Sequence, residues 1–119
     1  PYLRWLVYYG SSFEPALIDR ALKREPAPRG TSPYSDYDSM LNTLLEPIRK
    51  GPYLLGERFS AADVLWGTAL RWTTGFKLVP EMPEISAYIA RVCTRPAFVR
   101  AGEKDAALAA EQAKAAAAG

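Results

Sequence analysis

The densest chemical signal in the chain is the run Phe59-Ser60-Ala61-Ala62-Asp63-Val64. A carboxylate such as Asp63 in the first turn of a helix is a candidate general base, but its spacing from Ser60 gives it another task. The Ser60 hydroxyl can accept from the backbone N–H of Asp63 while the Asp63 carboxylate reaches back to the N–H of Ser60, a capping box. Phe59 and Val64 hold the two positions of a hydrophobic staple across it. Capping, together with the positive end of the helix dipole, accounts for Asp63 in full. The other reactive side chain is Cys93, which follows Val92 and reads as a small buried hydrophobe. There is no histidine, so the commonest general base and the commonest metal ligand are both missing. One cysteine excludes an internal disulfide and a thiolate zinc cluster. No catalytic residue and no metal site is assigned to this chain.

The bulk composition narrows the partners. With 119 residues the chain is one domain, long enough to bury roughly two-thirds of its unfolded surface. Hydrophobic residues at 49% and aromatics at 12% describe a globular chain rather than a disordered one. Fifteen basic residues against 13 acidic leave a net charge of +2, too little for a nucleic-acid binder. The basic clusters Lys23-Arg24, Arg49-Lys50 and Arg95 with Arg100 are short and sit near helix ends, where the first two favour the negative pole of the dipole. Arg4, Asp19, Arg71 and Lys77 interrupt every candidate membrane span, and no signal peptide is expected. The single free thiol fits a reducing cytoplasm. The opening Pro1-Tyr2-Leu3-Arg4 reads as the middle of a helix, so the chain is expected to be a piece of a longer protein.

These residues are carried by helices throughout. From Tyr2 to Arg24 the positions Leu3, Leu6, Val7, Gly10, Phe13, Leu17 and Ala21 step by three and four, the spacing of one helical stripe. Pro15 should bend that helix or split it. Glu25 to Pro33 is a loop by its prolines. A second helix runs from about Ser35 to Lys50, with Tyr37, Leu41, Leu44, Leu45 and Ile48 on one face, and Gly51-Pro52 stops it. The capped helix spans about Ala61 to Thr73. Its stripe Ala61, Val64, Leu65, Thr68, Ala69 and Trp72 is joined by Ala62, Trp66, Leu70 and Thr73, making it apolar nearly all round and central to a bundle. Pro83 opens a helix to about Thr94 that buries Ile85, Ile89 and Val92. Pro96 starts the last helix, and the alanine-rich stretch from 106 to 118 should be helical and frayed, because alanine favours helix but buries little. No strand-period segment occurs. The fold class is all-α, a bundle of about five helices around a buried central one.

Several segments together resemble a known family. Gly51-Pro52-Tyr53-Leu54-Leu55-Gly56-Glu57-Arg58-Phe59-Ser60-Ala61-Ala62-Asp63 is similar to the approach to the central helix of the glutathione transferase C-terminal domain. Pro83-Glu84-Ile85-Ser86-Ala87-Tyr88 and Arg95-Pro96-Ala97-Phe98-Val99-Arg100-Ala101 resemble that family's next two helix starts, in order and at the right spacing. Leu3-Arg4-Trp5-Leu6 resembles the first helix of bacterial members. The resemblance covers residues 1–105 as the domain and leaves 106–119 as an alanine-rich helical tail.

The resemblance implies a division of labour. A thioredoxin-like N-terminal domain, which nothing here matches, binds glutathione as co-substrate and supplies the catalytic Ser, Tyr or Cys. The helical domain walls the pocket for a hydrophobic electrophile, and its first two helices contribute to a homodimer. An apolar co-substrate needs a concave, largely aromatic wall. Trp5, Tyr8, Tyr9 and Phe13 wrap more than one face of the first helix, and those not turned into the core are candidates to line it, with Arg71 and Trp72 completing it. Packing is the plain alternative for each aromatic. Arg71 is either a buried ion-pair member or an anion contact beside the pocket. The same helical domain also serves elsewhere as a non-catalytic assembly module, a use that needs a partner surface and no pocket.

Overall fold

A computed structural model describes residues 1–119. Six α-helices account for most of the chain, and no strand forms. The first is α1, Tyr2–Tyr8, which runs without a break into a π-helical turn, Tyr9–Phe13, and then into α2, Glu14–Ala21. The effect of Pro15 is visible here. Lacking an N–H, it cannot close an α-helical bond to Ser11, and it settles in the first turn of α2 after the wide turn. α2 closes with the Arg24 N–H on the Asp19 carbonyl at 2.9 Å and the Lys23 N–H on the Arg20 carbonyl at 3.2 Å. Lys23 sits at φ 52° in that closing turn.

The first helical run buries only part of the stripe expected for it. Trp5, Phe13, Ala16 and Leu17 are buried, whereas Leu3 and Val7 are 71% and 63% exposed and Ala21 lies on the surface. Aromatic side chains bury about 150–250 Å² each, so Trp5, which lies off that stripe, outweighs Leu3 and Val7 in deciding which face of α1 turns inward.

α3, Tyr37–Lys50, is capped by Asp36, whose carboxylate accepts from the Ser39 N–H at 2.8 Å. It buries Met40, Leu41, Leu44, Leu45 and Ile48, a spacing of three and four, and Pro47 falls in its last turn. α4, Ala61–Gly75, follows a short turn in which Tyr53 and Gly56 exchange backbone hydrogen bonds of 3.0 Å. Gly56 takes φ 89°, a conformation that a side chain there would strain. α5, Pro83–Cys93, buries Ile85, Tyr88 and Val92. α6, Pro96–Ala118, buries none of its residues and runs as one helix through the alanine-rich stretch.

α4 packs against α1 on one side and α5 on the other. The face it buries carries Ala62, Asp63, Trp66, Gly67 and Leu70, while Ala61, Val64 and Trp72 of the expected first stripe are exposed. An apolar pattern on both sides of a helix leaves its inward direction undetermined, and Trp66 with Leu70 settles it by area. Close approach of α4 and α5 is set by Gly67. A Cβ there would lie 2.5 Å from Cγ1 and 2.7 Å from Cβ of Val92.

Candidate functional site

Asp63 is the one buried charged residue in the structure, with 0% exposure. Its carboxylate is fully engaged. Oδ2 accepts the Ser60 N–H at 2.9 Å, and Oδ1 accepts both the Leu54 N–H at 3.0 Å and the Tyr88 hydroxyl at 2.8 Å. The Ser60 hydroxyl in turn accepts the Ala62 N–H at 3.3 Å, so the capping box closes in both directions. A buried carboxylate is tolerable only when donors replace the water it has lost, and three strong donors do so here. The result is a junction that ties the 53–56 turn, the start of α4 and the middle of α5 to one side chain. Burial, and next the adjacent Asp63 charge, push the Tyr88 hydroxyl far above its ordinary range, so it stays a donor. A carboxylate that already accepts from three protein donors and has no access to solvent has no geometry for proton abstraction.

The staple position behaves differently from expectation. Val64 is 47% exposed, and Phe59 is held edge-on by Tyr53 with ring centroids 5.3 Å apart. The Arg95 guanidinium lies 3.7 Å over the Phe59 ring and also donates to the Tyr53 hydroxyl at 3.3 Å. The chain entering α4 is therefore fixed by an aromatic pair and a cation from the α5–α6 junction.

The six side chains expected to line a pocket fall into two groups. Trp5, Tyr8, Tyr9 and Phe13 gather around Trp66 of α4, with ring centroids 4.8–6.3 Å from it. Trp66 donates its indole N–H to the Trp5 carbonyl at 2.9 Å, and Tyr8 donates to the Met40 carbonyl at 2.9 Å. Trp5 and Phe13 are buried in this cluster; Tyr8 and Tyr9 are half-buried at its edge, and burial raises the hydroxyl pKa of both. Arg71 and Trp72 belong to the other end and the other face of α4. Both are exposed, Trp72 at 66%. Trp72 meets Phe76 edge-on, and Arg71 lies 5.6 Å over the Phe98 ring. Arg71 is thus a surface cation on an aromatic face, neither a buried ion-pair member nor joined to the first-helix aromatics.

Cys93 is half-buried beneath the Gly67 carbonyl, with Sγ 3.8 Å from the oxygen, and burial raises its pKa against the opposing pull of Arg71. That is the environment of an unreactive thiol. Sequence reasoning missed Trp66 as the hub, and Tyr88 as the partner of Asp63. Tyr88 was legible: Ile85, Tyr88 and Val92 share one stripe at i, i+3 and i+7.

Residues 36–96 match the family model described as glutathione S-transferase, C-terminal domain. The matched span is about half of the chain, from the cap of α3 to the first residue of α6, and it contains the whole Asp63 junction. No curated protein and no solved structure gives a significant match. No helix is long and apolar enough to cross a membrane.

Proposed function

Because the chain belongs to the glutathione S-transferase C-terminal domain family, we propose that it is the helical half of a bacterial-type glutathione transferase. In this reading a thioredoxin-like domain outside these 119 residues binds glutathione and lowers the pKa of its thiol. The helical half walls the site that brings a hydrophobic electrophile to the thiolate. The observation that carries it is the coincidence of the family span with the Asp63 junction, the feature that fixes how the central helix enters the bundle. Tyr8 and Tyr9 are half-buried at the rim of the Trp66 cluster, which supports assigning them to the co-substrate wall. Leu3, Val7 and Ile18 leave an apolar strip on the outside of α1 and α2, and it supplies the homodimer surface.

One observation favours a second reading, a non-catalytic assembly module. Trp5 and Phe13 are spent on the core, and Trp72 stands apart from them, so the six side chains do not enclose a common cavity. The two readings part in a displacement titration. A hydrophobic dye bound to the chain should be released by aryl electrophiles, and Tyr8→Ala with Tyr9→Ala should weaken that release. Adding a glutathione-binding thioredoxin-like domain should then give conjugation that neither part shows alone. A chain that melts cooperatively yet binds no electrophile belongs to the module.

A further inference from the structure

A cavity of about 260 Å³ lies on the outside of the bundle, between the closing turn of α2, the loop after it and the first turn of α3. It is at the far end of α2 from the Trp66 cluster and shares none of that cluster's residues. Its walls are fixed. Tyr34 donates to Asp19 at 2.9 Å, and Tyr37 donates to the Leu78 carbonyl at 2.7 Å. Three cations border it, Arg20, Lys23 and Arg24. Arg24 reaches Asp19 only at 3.7 Å, and Arg20 and Lys23 have no carboxylate within ion-pair distance. The two carboxylates of the cavity are engaged elsewhere: Asp19 by the Tyr34 hydroxyl, and Asp36 by Arg29 and the Ser39 N–H.

Arg20 is the informative side chain. Its guanidinium carbon lies 3.5 Å from the centroid of the Tyr37 ring. No side-chain hydrogen bond or ion pair occupies its N–H donors, and a guanidinium with its donors free suits a two-point contact with phosphate oxygens. Arg20 and Lys23, both exposed at its rim and without a carboxylate partner, offer positive charge to an anion. The apolar remainder of the wall, Ala16, Pro26 and the two tyrosines, calls for a small organic body attached to it. The volume falls just below the range of about 300–1,000 Å³ that holds drug-sized ligands, so the ligand is small.

We propose that this cleft binds a small phosphate monoester, its phosphate held by Arg20 and Lys23 and its apolar body against Tyr34 and Pro26. The proposal does not depend on the transferase reading. Phenyl phosphate is the probe, titrated into the 119-residue chain at low salt with backbone amide shifts as the readout. Saturable shifts confined to residues 19–26 and 34–37, weakened by added salt, are expected. Lys23→Gly suits the positive φ of that position, so it should melt no lower than the parent while weakening binding about tenfold. Arg20→Gln should weaken it by a similar factor. Absence of saturable shifts, or binding unchanged in Lys23→Gly, overturns the site. Inorganic phosphate binding as tightly as phenyl phosphate overturns the organic body, and benzoate binding as tightly overturns the phosphate.

Discussion

Gly67→Ala sets two physical effects of opposite sign against each other. In a helix interior, alanine is favoured over glycine by about 1 kcal/mol. Against this, the new Cβ would sit 2.5 Å from Cγ1, 2.7 Å from Cβ and 3.1 Å from Cγ2 of Val92. Comfortable carbon contacts lie near 3.5–4.0 Å, so α4 and α5 must part by roughly 1 Å. Overpacking of this kind costs about 1–3 kcal/mol. The same movement stretches the 2.8 Å Tyr88–Asp63 bond across the α4–α5 seam beyond hydrogen-bonding reach, and a bond to a charged group is worth about 1.5–3 kcal/mol. With the propensity gain subtracted, the net loss is about 1.5–5 kcal/mol. Urea unfolding followed by helical circular dichroism would measure it, with a Tm lower by several degrees per kcal/mol at this chain length. Val92→Ala added to it should restore only part of the loss, because the Val92 Cβ itself stands in the way. A Gly67→Ala chain as stable as the parent, or more so, would refute the close-approach argument and leave helix propensity as the dominant effect.

The remaining predictions test the junction and the aromatic cluster. Asp63→Asn keeps the shape but turns an NH2 toward at least one of the Ser60, Leu54 and Tyr88 donors, and should cost about 2–4 kcal/mol in the same assay; a loss under 1 kcal/mol would show that the donors find other partners. Tyr88→Phe should be destabilised at neutral pH, with a gap from the parent that closes as pH rises. The folded hydroxyl is held above its ordinary value of 10.0, so its contribution is complete below pH 10 and is lost above it, at about 1.4 kcal/mol per pH unit. Parallel stability curves between pH 9 and about pH 11 would contradict that assignment. Phe13→Ala should cost about 3–5 kcal/mol, whereas Trp72→Ser, at an exposed site, should fall within about 0.5 kcal/mol of the parent. Similar losses for the two would mean that the exposed face of α4 is covered by something.

Read alone, the sequence was sufficient for the all-helical class, the helix order and the capped entrance to α4. These are local matters: prolines and glycines end helices, and Ser60 and Asp63 sit three residues apart whatever the rest of the chain does. Tertiary structure alone decided which faces turn inward. The α1–α2 run carried apolar residues on more than one face, and α4 was apolar on both sides, so periodicity could not choose between Val64 with Trp72 and Trp66 with Leu70. The choice follows from total buried area, which depends on what faces each helix and is not written in any window of sequence. For the same reason four candidate pocket aromatics became a cluster on Trp66, and a local cap became the meeting point of Leu54, Ser60 and Tyr88, residues up to 25 positions from Asp63.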